Sequence, residues 1–131
     1  MILISTLLEI ARARIEDANV LIAEGRNDGA AYLCGYAVEL ALKARICRTL
    51  NWDGFPETRS EFENLSSFKT HKLDVLLALS GQESRIKADH FTEWSAVAKW
   101  DPEARYKQVG TVESLEVALM IIAASTLLEV L

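Results

Sequence analysis

A chain of 131 residues is the size of one domain and is long enough to bury a substantial core. With 50% hydrophobic and 25% charged residues, six Gly and two Pro, it excludes a disordered chain or a long flexible linker. A net charge of −5 excludes bulk attraction to nucleic acid or anionic membrane, so any nucleic-acid site must be a local basic patch.

The first predicted element runs from Leu3 to Glu24. Its apolar residues, Leu3, Leu7, Ile10, Ala11, Ala18, Leu21 and Ile22, follow a mostly helical spacing, with Arg14 as the exception. Its opening, MILISTLLEIARAR, lacks the basic start of a signal peptide and carries Glu9 within the apolar part. The longest uncharged apolar run, Val117 to Leu128, is 12 residues and too short to span a bilayer. A cytoplasmic protein is expected. Glu24-Gly25-Arg26-Asn27-Asp28 then supplies a C-terminal Gly and an Asn or Asp cap, so the first two helices form an antiparallel hairpin.

The second element, Asp28 to Leu50, is apolar on every side of a helical wheel, as befits the central helix of a bundle. One stripe differs. Tyr32, Tyr36, Glu39 and Lys43 share a face at spacings of four, three and four. A carboxylate and an ammonium are costly to bury unless paired. Two readings follow: a Glu39–Lys43 pair at the edge of the core, or the lining of a polar cleft or subunit interface. Cys34 and Cys47 lie 13 positions apart on this helix. They are thus roughly 20 Å apart and beyond disulfide reach. No Cys/His ligand spacing exists, so no metal site and no cofactor are expected, and both cysteines read as small core residues.

Asn51 to Lys69 is irregular, with turn chemistry at its start; Thr58 with Glu61 can cap a short turn. Thr70 to Leu79 predicts a short helix, with His71 as a capping or packing residue. Ser80-x-x-Glu83 offers a capping box for a continuous helix that reaches about Lys99. Asp101-Pro102 ends it, and Thr111 is a cap for a final helix from Val112 to Leu131. No strand signal appears. The chain therefore predicts a single all-α domain over residues 1–131: an antiparallel up-and-down four-helix bundle with a short extra helix.

Three segments together resemble the HEPN domain family, named for higher eukaryotes and prokaryotes and for nucleotide binding. AAYLCGYAVELALKA, Ala30 to Ala44, is similar to that family's Ala-Val-Glu-x-x-Leu-Lys-Ala helix. THKLDVLLAL, Thr70 to Leu79, is similar to its His-x-Leu-x-x-Leu-Leu segment, and WDPEARY, Trp100 to Tyr106, to its Arg-Tyr element. The resemblance implies a helical bundle that commonly forms homodimers. It also implies frequent pairing with a minimal nucleotidyltransferase in a two-gene, often toxin–antitoxin, system. Many members are RNases whose Arg and His, four to six residues apart, meet across a dimer; others bind nucleotides or partners without known catalysis.

Arg85-Ile-Lys-Ala-Asp-His90 fits the letters of the RNase motif. On a continuous helix the two side chains point roughly 140° apart, so they would not converge within one protomer. A surface pair of Arg85 with Asp89 is the simpler reading. Arg105 and Tyr106 are the other candidates. A guanidinium forks onto phosphate or carboxylate, and Tyr106 with Trp100 can stack on a base, or else cap the bundle end. The preferred expectation is a dimeric nucleotide- or partner-binding module using Glu39, Lys43, Trp100, Arg105 and Tyr106. The alternative is a metal-independent RNase acting on RNA through Arg85 and His90.

Overall fold

The computed structural model describes the backbone of residues 1–131 and every side chain except those of Ala104 and Arg105. Helix α1 (Ile4–Ala23) and α2 (Asn27–Leu50) form the predicted antiparallel hairpin. Gly25, at φ +74°, makes the turn between them: Arg26 N–H reaches the Leu21 carbonyl at 2.8 Å and Gly25 N–H the Ile22 carbonyl at 3.0 Å. Those bonds satisfy the last carbonyls of α1, which an L residue at position 25 would do only with strain. Asn51, at φ 58°, closes α2 in the same way, with Trp52 N–H on the Cys47 carbonyl.

After α2 come α3 (Leu73–Leu79), α4 (Glu83–Asp89), α5 (Phe91–Val97) and α6 (Ser114–Val130). Helix α6 packs against α2, α5 and α1, while α3 rests on α2. The core follows from this arrangement. Leu7 and Ala18 of α1, Val38 and Leu42 of α2, Leu76 of α3, Ile86 of α4, Trp94 of α5 and Leu127 of α6 are all buried in it. This is the expected all-α bundle. Among the described residues no helix is long and apolar enough to cross a membrane.

Four local expectations need correction. A two-residue strand pair, β1 (Ile2–Leu3) with β2 (Gly54–Phe55), joins the N-terminus to the irregular connection. Pairs this short carry no period-two alternation, so no sequence pattern announces them. The expected helix to Lys99 breaks at His90, whose backbone sits at φ −133°, ψ 39°. The break lets Ile86 before it and Trp94 and Val97 after it all reach the core. Ser80 does not form the capping box; its hydroxyl donates to the Leu77 carbonyl and accepts from Gln82 N–H, closing the α3–α4 turn. Finally, α6 starts at Ser114, and the Thr111 hydroxyl bonds the Gln108 carbonyl instead of capping the helix. The turn at Thr58 is as expected: Thr58 and Glu61 exchange side chain-to-backbone hydrogen bonds at 3.3 Å each way.

Candidate functional site

The four residues of the α2 stripe stand in one row because α2 is unbroken from Asn27 to Leu50. Tyr32 and Tyr36 meet edge to face with ring centroids 5.1 Å apart. Trp100, from the segment after α5, packs edge to face on Tyr36 at 4.9 Å. It can come this close because residue 35 is Gly: a Cβ there would lie 2.1 Å from the indole ring. Trp100 is therefore 9% exposed, a packing element seated on α2 at Gly35 and Tyr36. Its indole N–H is buried with no partner among the described residues.

One turn further along α2 lies Glu39, whose side chain is only 3% exposed. Lys43 Nζ donates to its Oε2 at 3.2 Å, which is the expected i,i+4 pair. The second partner was not expected. His71, just before α3, places Nδ1 at 2.8 Å from Glu39 Oε1. An ionised carboxylate only accepts, so Nδ1 carries the proton and Nε2 is left as the outward nitrogen. The ring is edge-on to Tyr36 at 6.4 Å, yet the side chain is 59% exposed. His71 thus corrects its reading as a capping or packing histidine. Lys43 also lies 5.2 Å above the Phe55 ring of β2, so the strand pair helps to fix the ammonium.

Tyr106, at the end of the 3-10 turn Pro102–Tyr106, is 72% exposed. Arg105 beside it lies, as a side chain, outside the described residues. The structure thus brings together Glu39, Lys43 and the Trp100 edge, and adds His71. Arg85 and His90 are arranged differently. The Arg85 guanidinium donates to Gln82 Oε1 at 2.8 Å and to the Val130 carbonyl of α6 at 2.7 Å, not to Asp89 as the sequence suggested. His90 occupies the α4–α5 joint, and no hydrogen bond links the two.

The other candidate chemistry is quickly placed. Burial pushes the Cys34 thiol up to about 12 and the Cys47 thiol up to about 11, so both stay protonated and unreactive near neutral pH. Among the described residues no group of three His, Cys, Asp or Glu side chains could hold a metal ion. A groove of about 590 Å³ between α1, α2 and α6 lies away from the Glu39 row. Arg12 and Arg48 line it together with Glu16 and Glu129, so its charge is mixed and none of these groups is buried. The Glu39 row is the better candidate because it holds a desolvated carboxylate beside an exposed imidazole.

The architecture is a small all-α bundle with a Glu39–Lys43 pair on its central helix and His71 ahead of α3. This chain belongs to the HEPN domain family: a family model described as HEPN domain matches residues 4–123, nearly its whole length. No curated protein and no solved structure matches the chain.

Proposed function

We propose that the chain is a homodimeric HEPN module that binds a nucleotide or a partner protein through the Glu39–Lys43 face of α2. Tyr106, exposed, and the Trp100 ring are assigned to the edge of that surface, and Arg105 is assigned to it from the sequence alone. The observation that carries this reading is the buried Glu39 carboxylate, held by Lys43 and His71 next to a partly exposed aromatic cluster. Buried ion pairs are often replaceable by apolar residues without loss of stability. Every other buried residue of α2 is apolar or Gly, so the charge kept at Glu39 supports a role in recognition. The family's frequent pairing with a minimal nucleotidyltransferase supports a place in a two-gene, toxin–antitoxin type system, acting in the cytoplasm with that enzyme as partner.

Arg105 provides the test of the surface. Arg105→Lys keeps the charge but loses the bidentate fork. It should weaken binding of a nucleotide or of the co-encoded nucleotidyltransferase about tenfold, the equivalent of roughly 1.4 kcal/mol, with an unchanged melting temperature. Arg105→Ala should weaken it further. A sharp fall in melting temperature with unchanged binding by the folded fraction would make the residue a clasp and remove it from the site.

Dimerisation has its own support. Leu115, Leu119 and Ile122 lie at spacings of four and three on α6 and are 71%, 54% and 65% exposed. A contiguous apolar face of this kind suits a self-complementary interface. Light scattering should give twice the 14.6 kDa chain mass at micromolar concentration, and Ile122→Glu should give one chain mass. A wild-type protein of one chain mass would refute the dimer.

A further inference from the structure

His71 has a geometry that a merely structural partner of Glu39 does not need. Lys43 already neutralises the Glu39 carboxylate and is itself mostly buried, with 15% of its side chain exposed. A second donor that stands 59% in solvent contributes little to stability. What the Glu39 contact does fix is the ring. With Nδ1–H bound at 2.8 Å, the imidazole keeps one tautomer and one orientation, and Nε2 has no partner among the described residues. Glu39 and the Tyr36 ring contact the imidazole, Lys43 shares the Glu39 carboxylate, and the exposed Lys72 and Asp74 follow in the chain. When Nε2 takes a proton, one carboxylate faces an ammonium and an imidazolium, with Lys72 next in the chain. That is local positive charge on a protein whose net charge is −5.

We propose that His71 is a phosphate-binding residue: Glu39 holds Nδ1–H, and the outward Nε2–H donates to the oxygens of a phosphate monoester. This rests on the binding surface described above and names the group that surface recognises. The ligand draws a proton onto Nε2, so the imidazolium lies between two anions, the Glu39 carboxylate and the phosphate. Charge-assisted hydrogen bonds on both sides hold it there. A nucleoside monophosphate and free phosphate share this chemistry; the nucleoside arm of the test separates them.

The chain has two histidines, so His90 serves as an internal control in a ¹⁵N spectrum of the imidazole rings. The protein is titrated with AMP, inorganic phosphate and adenosine. AMP and phosphate should move the His71 Nε2 resonance towards its protonated position and leave His90 where it was, while adenosine should move neither. His71→Gln should fold with an unchanged melting temperature and bind AMP about tenfold more weakly. If AMP perturbs the α2 surface but leaves the His71 resonances and the affinity of His71→Gln unchanged, the surface stands and the role of His71 is overturned. If neither AMP nor phosphate binds at millimolar concentration, the phosphate assignment is overturned, and a surface that still captures the nucleotidyltransferase recognises protein alone. Adenosine binding as tightly as AMP would also overturn it.

Discussion

Gly35→Ala is expected to melt roughly 10 °C below the wild type, although Ala is the better helix former. Two effects compete. Replacing Gly by Ala in a helix interior gains up to about 1 kcal/mol. Against it, the new Cβ would lie 2.1 Å from the Trp100 ring, which is rigid and cannot yield by a small rotation. The indole must leave its place against Tyr36, and expelling a buried Trp costs about 3–5 kcal/mol. The net loss is about 2–4 kcal/mol, at roughly 3–5 °C per kcal/mol for a chain of this length. Thermal melting by circular dichroism reads it. A melting temperature equal to or above that of the wild type would mean that Trp100 does not lie on α2.

Glu39→Ala should be comparably destabilising for a different reason. It leaves the mostly buried Lys43 ammonium without its carboxylate and His71 without the group that orients it. Breaking a buried pair from one side costs about 3–5 kcal/mol; Lys43 retains some solvent, so about 2–4 kcal/mol is expected here. Glu39→Gln keeps the volume and an acceptor, and should lose roughly half as much. Denaturant unfolding checks both. Equal stability of Glu39→Ala and the wild type would place the pair in water and remove the argument for a desolvated site.

The bundle was legible from the sequence because its signals are local. The wholly apolar α2, the Gly25 stop and the short α1–α2 connection dictate the hairpin, and Glu39 and Lys43 pair because four residues separate them on a helix. His71 was not legible as their partner. It lies 32 residues from Glu39 across an irregular connection, and only tertiary packing brings the two together. The one available signal was energetic: a carboxylate on so apolar a helix calls for more than one donor. The break at His90 was hidden for a similar reason. Ser84 to Lys99 has acceptable helix formers throughout, and the need to turn both Ile86 and Trp94 inward overrides that propensity. From sequence alone Trp100 is open to two roles, stacking on a base or capping the bundle end. Gly35 held the deciding information, since a glycine inside a helix signals close approach of a neighbour.

The Glu39 row of α2 is the proposed ligand site of this HEPN chain. Backbone amide shifts of the ¹⁵N-labelled protein during an AMP titration test it most directly. The perturbed amides should cluster at Tyr36, Glu39, Lys43, His71 and Tyr106, with one saturating affinity common to all of them. Perturbations confined to the groove of Leu8, Arg12, Arg48 and Leu128, or to the Arg85–His90 segment, would contradict the account and move the site to another face of the bundle.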